Sequence, residues 1–481
     1  MAETRECDVI VIGAGLGGLL SAVQFLRRGQ RVVVVERLAH PGGRFTAKTF
    51  RGAQVSTGAV HMIPFGTNGE LAGMLRALAI PHRIHDSEVF ASFHVRGRQV
   101  VCRSRVHLLG VLGVRPFAEL ESAGAPTFLG RLTPQRRTLS FKRWAERRGI
   151  TPQRTPELYA FFERTAHFAL SVDLADVSFA EVAAVTRNMF RYGVPGIVDG
   201  GCAALTGELE RRVLEAGGEL RLQHDVLAIE HDGARVVGVR TRDKQSGAET
   251  RLVAPLVISN IGPEMTARLT GETDDAQRAP VAPFTEAGDG ERPRGRREAS
   301  GLKVHLLSDV SVIPHRGIMY CLDTERIAGV VQPSNSDPRL APPGKHLLIT
   351  HQLMRSDDVN AEREAARQDL RRLFGDDFGT KITILTMSQY RGEWPVNRMA
   401  QGNDVSPLTR LAGLYLVGDA VKPSGYLMVE GVAQSVNTLL DVLDTPVFGG
   451  VGRAAHTTPA KPSRARAVQW LLHPPAPHPG S

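Results

Sequence analysis

Two short apolar runs and the periodic stretch between them predict the first elements of this chain. Residues 7–12 (CDVIVI) and 31–36 (RVVVVE) are rich in β-branched side chains, which is typical of strands buried on both faces of a parallel sheet. Residues 16–28 show helical periodicity, and Gly29 follows as a natural stop. This order predicts a βαβ unit at the start of the chain.

The centre of the chain changes from strand patterns to helical patterns and back. Alternating runs over 86–102 predict a hairpin, and residues 219–258 have the pattern of a β-meander. A turn is expected at 194–201. The helices predicted in this part lie near 139–148, 155–170, 178–191 and 202–216.

The last third of the chain returns to strands and ends in a helix. The predicted strands are 301–308, 317–332, 345–354 and 413–418, and the predicted helices are 358–374 and 430–443. Residues 274–299 are rich in proline, glycine and charge, and the tail from 446 to 481 is rich in proline, alanine and arginine. Both segments are therefore expected to be disordered.

Charge and cysteine usage narrow the function classes only a little. The 59 basic and 50 acidic residues give a net charge of +9, which suits an anionic cofactor, anionic lipid or nucleic acid. No basic stripe interleaved with aromatic residues is present, so a nucleic-acid partner is not expected. The 4 cysteines lack metal-ligand or disulfide spacing, which indicates a reduced, cytoplasmic setting and no metal site. No apolar run reaches the length of a membrane span, and the early acidic residues argue against a signal peptide.

A glycine-rich turn joins the first predicted strand to the first helix. Gly13, Gly15 and Gly18 form a GxGxxG pattern, in which the glycines permit a tight turn, close approach of a pyrophosphate and close helix packing. The helix N-terminus offers free N–H groups to that anion. Glu36 ends the second strand and can accept ribose hydroxyls. A glycine turn without a ligand is the alternative, and the complete βαβ context makes it the weaker one.

A second loop favours FAD over NAD as the dinucleotide. Arg37 follows the acid, and Gly42, Gly43 and Arg44 come a few residues later. Such a glycine pair lets the backbone wrap the pyrophosphate, and the arginine can meet a phosphate or the flavin side. An NAD enzyme has no need of this loop.

A third motif near the C-terminus completes the predicted nucleotide site. The strand 413–418 ends in Gly418, and Asp419 can bind the ribityl chain or a phosphate-bound water, or simply cap a turn. Residues 424–431 (SGYLMVEG) then lead into a helix whose N-terminal dipole would stabilise negative charge on reduced flavin. Glu430 is expected to interact with that dipole rather than to act as an acid or base.

These three motifs, in this order, resemble the FAD-dependent amine oxidase superfamily, and most closely its phytoene desaturase and carotenoid isomerase branch. Further stretches are similar to that branch over most of residues 6–443. They are 195–201 (PGIVDGG), 217–219 followed by Val226, 257–260 (VISN) and 336–344 (SDPRLAPPG). One stretch departs from the pattern, since the Asp-x-Gly-Pro-Thr that commonly follows the second loop reads Ser56-Thr57-Gly58-Ala59-Val60-His61 here.

The resemblance implies an α/β fold with a discontinuous Rossmann-type FAD-binding domain and an inserted α+β substrate-binding domain. The FAD-binding parts are expected at 1–85, 201–270 and 401–445, and the substrate parts at 86–200 and 300–400. The cofactor-binding residues that it implies are Gly13, Gly15, Leu16, Gly17, Gly18, Glu36, Arg37, Gly43, Arg44, Gly58, Ala59, Val60, His61, Val226, Asn260, Gly418, Asp419, Gly425, Met428, Glu430, Gly431 and Val432.

The resemblance also implies a flavin enzyme that desaturates, isomerises or saturates a long apolar, polyprenoid-like substrate. His61 is a hypothetical proton-transfer residue, although a lone histidine is more often structural. A flavin amine oxidase acting on a small amine, and a redox-inactive prenyl-binding escort, are the alternatives. Residues 105–117 are apolar with basic flanks and are expected either to contact a membrane surface peripherally or to be buried.

Overall fold

Two sheets, each assembled from separate parts of the chain, organise the computed structural model. The structure describes residues 3–58, 60–103, 105–113, 139–271, 299–399 and 405–445. Of the two segments expected to be disordered, 274–299 and 446–481, all but one residue lie outside the described residues. The exception is Ala299, which is buried and pairs with Asn397.

Most of the helices and strands that the sequence patterns predict are present in the structure, together with several that they did not predict. The helices are α1 Leu16–Arg27, α2 Glu70–Ala77, α3 Arg105–Val111, α4 Phe141–Glu146, α5 Pro156–Ala169, α6 Phe179–Tyr192, α7 Gly201–Glu215, α8 Pro263–Leu269, α9 Val359–Phe374 and α10 Met428–Asp444. The strands are β1 Glu3–Glu6, β2 Val9–Ile12, β3 Val32–Val35, β4 Ala47–Phe50, β5 Ala53–Ser56, β6 Met62–Ile63, β7 Ile84–Asp86, β8 Ala91–Val95, β9 Arg98–Cys102, β10 Gly196–Val198, β11 Glu219–Arg221, β12 His224–His231, β13 Val236–Asp243, β14 Glu249–Val253, β15 Leu256–Ser259, β16 Gly301–Ser308, β17 Met319–Cys321, β18 Ile327–Val331, β19 His346–Leu353, β20 Ile382–Tyr390 and β21 Leu414–Leu416.

A 5-stranded parallel sheet in the order β11-β3-β2-β15-β21 carries the predicted βαβ unit. Every residue of β2 and β3 is buried, as the unbroken apolar runs of these strands predict. Because all neighbouring strands are parallel, their carboxyl ends meet at one edge of the sheet. That edge brings Gly13, Glu36, Asn260 and Gly418 together from distant parts of the chain, and such an edge is where open α/β sheets bind ligands.

A 7-stranded mixed sheet in the order β20-β16-β19-β18-β17-β8-β9 forms the second layer. Its strands come from the two parts of the chain that the resemblance assigns to substrate binding. The helices α4, α5 and α6 share one apolar core with this sheet, in which the rings of Phe93 and Tyr320 stack at 5.8 Å and Trp144 stacks on Phe179 at 4.6 Å.

Three local predictions were wrong. The strand expected at 317–332 is an antiparallel pair, β17 and β18, with a turn between them. The expected turn at 194–201 contains β10, which pairs with β6 and β7 in a small antiparallel sheet. The expected meander over 219–258 is shorter at both ends, because β11 and β15 join the parallel sheet and leave β12, β13 and β14 as the antiparallel strands. β11 and β15 are only three and four residues long. Apolar runs this short do not distinguish a buried parallel strand from a strand of an antiparallel meander.

Within the described ranges, no helix is both long and apolar enough to cross a membrane. The segment 105–117 forms α3 up to Val111, and its residues after 113 lie outside the described ranges. Peripheral contact with a membrane stays a prediction.

One buried carboxylate holds α9 to the 7-stranded sheet. Asp369 is 1% exposed and accepts the backbone N–H groups of Glu325, Arg326 and Ile327 at 2.8, 2.6 and 2.8 Å. These donors precede or begin β18, so the carboxylate closes the turn that leads into this strand.

We expect Asp369→Ala to lower the free energy of unfolding by about 3 kcal/mol or more, because it leaves buried backbone donors without an acceptor. Urea denaturation followed by circular dichroism measures the change. Asp376 follows the same helix and is exposed, so Asp376→Ala is the control, and it should change stability by less than about 0.5 kcal/mol. Equal effects of the two substitutions would contradict this role of Asp369.

Candidate functional site

The glycine turn between β2 and α1 is built for close approach to an anion. A Cβ on Gly18 would lie 2.0 Å from the Gly13 carbonyl oxygen, so only glycine allows α1 to pack this closely on the strand. Gly15 is the residue before α1, and neither a side-chain cap nor an acidic residue occupies the first turn. The first N–H groups of α1 therefore stay available to a phosphate.

The carboxylate of Glu36 lies at the end of β3, beside the glycine turn. It accepts the N–H of Ala14 at 2.7 Å through one oxygen and the N–H of Leu38 at 2.9 Å through the other. Each carboxylate oxygen has further acceptor capacity. Glu36 is thus fixed where an acid that binds ribose hydroxyls would be required.

The side chain of Asn260 packs against three glycines that come from opposite ends of the chain. A Cβ on Gly15 would lie 2.7 Å from Asn260 Nδ2, and a Cβ on Gly17 or Gly418 would lie 2.7 or 2.8 Å from Asn260 Oδ1. The backbone N–H of Asn260 donates to Ile12, which holds the residue at the end of β15. The amide side chain fills the space that these glycines leave between β2 and β21.

The second loop folds back onto the glycine turn. The N–H of Gly42 donates to the Ala14 carbonyl at 2.7 Å, and Gly43 accepts the Thr57 hydroxyl at 2.9 Å. A Cβ on Gly58 would lie 2.4 Å from the Arg44 carbonyl oxygen, so glycine is needed there as well. The loop and the stretch 56–58 therefore form one packed unit beside the turn.

An ion pair closes this loop against the C-terminal motif. Arg44 Nη2 donates to Asp419 Oδ1 at 2.6 Å, and Arg44 Nη1 donates to the carbonyl groups of Pro395 and Val396 at 3.1 and 3.0 Å. The other oxygen of Asp419 accepts the backbone N–H of Arg398 at 2.8 Å. Burial raises the pKa of Asp419, but the charge and hydrogen bond of Arg44 outweigh it and hold the pKa at about 2.

These residues fit a dinucleotide. The first backbone N–H groups of α1 can bind a pyrophosphate, and the carboxylate of Glu36 can accept hydrogen bonds from ribose hydroxyls. The glycines of both loops leave no side chain between the backbone and such a ligand. The motifs that the sequence places nearly at opposite ends of the chain therefore converge on one edge of the parallel sheet.

Helix α10 brings part of the last motif to the same edge. The Val432 side chain lies 3.1 Å from a Cβ built on Gly17, and Gly418 donates its N–H to the Ser435 hydroxyl at 2.9 Å. Met428 opens the helix with a φ of 45°. Gly431 packs on the side chain of Lys422, where a Cβ would approach to 2.8 Å.

Glu430 caps a different helix from its own. One oxygen accepts the N–H of Phe65 at 3.1 Å, in the segment before α2, and the other accepts the N–H of Leu71 at 2.9 Å, in the first turn of α2. Burial raises the pKa of Glu430 to about 7. The carboxylate thus joins α10 to α2, a partner that the sequence pattern did not indicate.

The other predicted cofactor residues have mixed surroundings. Gly425 packs on α6, where its N–H donates to Glu181 at 3.0 Å. Arg37 pairs with Glu393 at 2.9 Å. Leu16 and Val60 are buried, Val226 is half-buried on β12, and Ala59 lies outside the described residues. Binding of FAD by these residues stays a prediction.

His61 has both ring nitrogens engaged with backbone groups. Its Nδ1 accepts the N–H of Cys202 at 3.1 Å, so the proton is assigned to Nε2, which donates to the Gln54 carbonyl at 2.9 Å. Burial lowers the pKa of His61 to about 4. The neutral ring has no free lone pair and links β5 to the start of α7. This arrangement favours a role in holding these two elements together over a role in proton transfer.

The predicted dinucleotide site, formed by the glycine turn 13–18, Glu36, Asn260 and the Arg44–Asp419 ion pair, is here called the cradle. A row of basic residues that the motifs did not reveal lies next to it. Lys303, His305 and His351, here called the basic row, occupy β16 and β19 and are each no more than 2% exposed. Among the described residues, Lys303 Nζ has no hydrogen-bond partner, although it lies 4.6 Å from the centre of the Tyr390 ring. Burial lowers the pKa of Lys303 to about 7. The signal in the sequence was the alternation of Lys303 and His305 with apolar residues along one strand.

Comparison with known proteins places this geometry among flavin enzymes. The model of the family described as flavin containing amine oxidoreductase matches residues 16–435. An uncharacterized protein of Methanocaldococcus jannaschii is 30% identical over 435 residues, which are 90% of this chain and 99% of that protein. The crystal structure of an oxidoreductase from Methanosarcina mazei has a TM-score of 0.78 and 30% identity, and covers 91% of this chain and 100% of its own.

A further match covers a smaller part of this chain. A chloroplastic prolycopene isomerase of Daucus carota is 37% identical over 79 residues, which are 16% of this chain and 13% of that protein.

We expect Gly15→Ala to weaken FAD binding at least tenfold, or by about 1.4 kcal/mol, because the added Cβ would displace Asn260 from the cradle. Release of FAD, measured by its fluorescence after dilution, gives the affinity. Gly207→Ala in α7 is the matched control, since its Cβ would meet nothing within 4 Å. It should retain FAD and, if anything, gain stability from the better helix former. Full retention of FAD by Gly15→Ala would contradict the cradle.

We expect Lys303→Met to raise the free energy of unfolding by about 4 kcal/mol below about pH 7, because it removes an unpaired amine from the interior. The folded protein binds fewer protons than the unfolded chain between the two pKa values of Lys303. The stability of the unsubstituted protein therefore rises from about pH 7 toward pH 10.5, and its difference from the variant shrinks over that range. Urea titrations at several pH values measure this. A variant that is less stable at every pH would contradict it.

Proposed function

This chain belongs to the family of flavin-containing amine oxidoreductases, and we propose that it oxidises, isomerises or saturates a long apolar, polyprenoid-like substrate. Its cofactor is FAD, and it is an oxidoreductase of this superfamily. The polyprenoid-like substrate is the part of this conclusion that goes beyond the family.

The residues of the cradle have separable roles toward FAD. We assign the pyrophosphate to the N-terminus of α1 and the ribose to Glu36, with the glycines keeping the backbone close. FAD supplies a hydride acceptor, or in its reduced form a hydride donor, to a carbon of the substrate. The N-terminus of α10 would favour negative charge nearby through its dipole.

The apolar surroundings of the 7-stranded sheet support a hydrocarbon-like substrate. Its core contains residues that stay partly exposed although they are large and apolar, namely Phe90, Phe161, Phe162, Leu307 and Met189. Burial of a hydrocarbon contributes about 0.8 kcal/mol per methylene and needs few polar contacts. The short match to a prolycopene isomerase agrees with this substrate class.

The direct test is anaerobic mixing of the FAD-loaded protein with linear polyprenes and carotenoid precursors. We expect one of them to bleach the flavin absorbance, or to be converted by the reduced protein. Mass spectrometry of the product should show loss or gain of two hydrogens, or a shifted double bond at unchanged mass. Bleaching by small amines alone, with release of peroxide in air, would identify an amine oxidase instead.

The role of His61 is tested by His61→Asn, which tolerates the positive φ of 60° at this position. We expect stability to fall by about 1–3 kcal/mol, because buried backbone groups lose partners. Single-turnover reduction of the flavin should change less than tenfold. A loss of a hundredfold or more with FAD still bound would instead establish His61 as a proton-transfer residue.

A further inference from the structure

Helix α6 begins with the sequence pattern of a capping box, yet its acidic residue binds a distant segment. Ser178 caps the helix, and its hydroxyl accepts the N–H of Glu181 at 3.0 Å. In a capping box the acid reaches back to the N–H of the capping residue. Here one oxygen of Glu181 accepts the hydroxyl of Ser424, and the other accepts the N–H of Gly425 at 3.0 Å. Glu181 is 2% exposed, so its carboxylate is committed to this distant contact.

Three residues on one face of α6 hold Gly425. Glu181, Ala184 and Asn188 are spaced by three and four residues, which places them above one another on the helix. Asn188 Nδ2 donates to the Gly425 carbonyl at 2.8 Å, so both backbone polar groups of this glycine are bound by α6. A Cβ on Gly425 would lie 3.0 Å from Ala184, and the φ of 88° also favours glycine. Glu181, Ala184 and Asn188 are here called the α6 clamp.

The α6 clamp fixes the segment that leads into α10. Residues 426 and 427 alone separate Gly425 from Met428, the first residue of that helix. Buried Lys422 fixes the same segment from the other side, because its Nζ donates to the Tyr426 carbonyl at 3.2 Å. A link this short transfers the position of Gly425 to the N-terminus of α10.

The clamp belongs to a helix that also contacts the aromatic core of the 7-stranded sheet. Val182, Val185 and Met189 each follow a clamp residue by one position and pack in that core. Phe179, the first residue of α6, stacks there on Trp144. Helix α6 therefore contacts the region expected to bind substrate through one stripe of residues and the segment before α10 through the adjoining stripe.

Glu181 supplies the stronger half of the clamp. Hydrogen bonds to a carboxylate are stronger than those between neutral groups, and the first turn of α6 places this negative charge at a helix N-terminus. Removal of the side chain would leave the buried N–H of Gly425 without its acceptor. The segment before α10 would then no longer be fixed against α6.

We propose that Glu181 and Asn188 are positioning residues for the flavin, which hold the N-terminus of α10 where its dipole favours the reduced, negatively charged cofactor. This inference rests on the proposed function, in which α10 has that effect on FAD. Neither residue contacts a reacting atom in this account, because both act through Gly425. The reduction potential of the bound flavin is then set partly from the substrate side of the molecule.

The test measures the reduction potential of FAD bound to the full-length protein, by anaerobic titration against reference dyes. Glu181→Ala and Asn188→Ala should each weaken the binding of reduced FAD about fivefold more than that of oxidised FAD, because the helix N-terminus is no longer held near the negative charge. For a two-electron couple, a fivefold difference lowers the potential by about 20 mV. Asn188→Ala tests the same clamp if Glu181→Ala misfolds.

Two control variants separate position from charge and from stability. In Glu181→Gln the amide can accept the N–H of Gly425 and donate to Ser424, so this variant should keep the ratio of the two FAD affinities within about twofold. Asp369→Ala also removes a buried carboxylate that accepts backbone N–H groups, but it does so beneath α9. It should lower stability and leave the potential of the flavin unchanged.

The outcomes distinguish the clamp from the proposed substrate. Unchanged potentials in both alanine variants, or an equal shift in Asp369→Ala, would overturn the positioning role. A shift in Glu181→Gln as large as that in Glu181→Ala would overturn it too, since charge alone would then explain the effect. None of these measurements uses a substrate, so they leave the apolar substrate class intact, whereas a failed substrate screen would leave the α6 clamp intact.

Discussion

The ion pair between Arg44 and Asp419 is the interaction on which the rest of the site depends. It joins the loop after β3 to the turn after β21, two segments that are far apart in sequence and separated by the whole 7-stranded sheet. Because Arg44 also donates to Pro395 and Val396, the same side chain fixes the chain that returns from that sheet. The cradle is therefore complete only when both ends of the protein and the return segment are in place.

The basic row shows the opposite arrangement of charge. Arg44 is half-buried beside its counterion, whereas buried Lys303 has no ion-pair partner among the described residues, and burial lowers the pKa of its amine to about 7. A fold retains such a costly group most readily where a ligand completes it, and strongly perturbed groups beside a cofactor site are typical of function.

The parts of the structure that follow local rules could be predicted from the sequence. The unbroken apolar runs of β2 and β3, the glycines at 13–18 and the pair Gly418-Asp419 identified the parallel sheet and the nucleotide edge. The contacts that depend on which distant segments meet could not be predicted in this way. No local pattern reveals that Asn260 fills the space beside three glycines, that Glu430 caps α2, or that the two ring nitrogens of His61 bind backbone groups.

A double-mutant cycle on Arg44 and Asp419 tests the central claim, that one ion pair closes the FAD cradle, most directly. FAD dissociation constants are measured for the unsubstituted protein, Arg44→Met, Asp419→Asn and the double variant. If the pair acts as one unit, the double variant should lose little more affinity than either single variant, with a coupling energy of about 1 kcal/mol or more. Losses that simply add, or single variants that hold FAD as tightly as the unsubstituted protein, would contradict the claim.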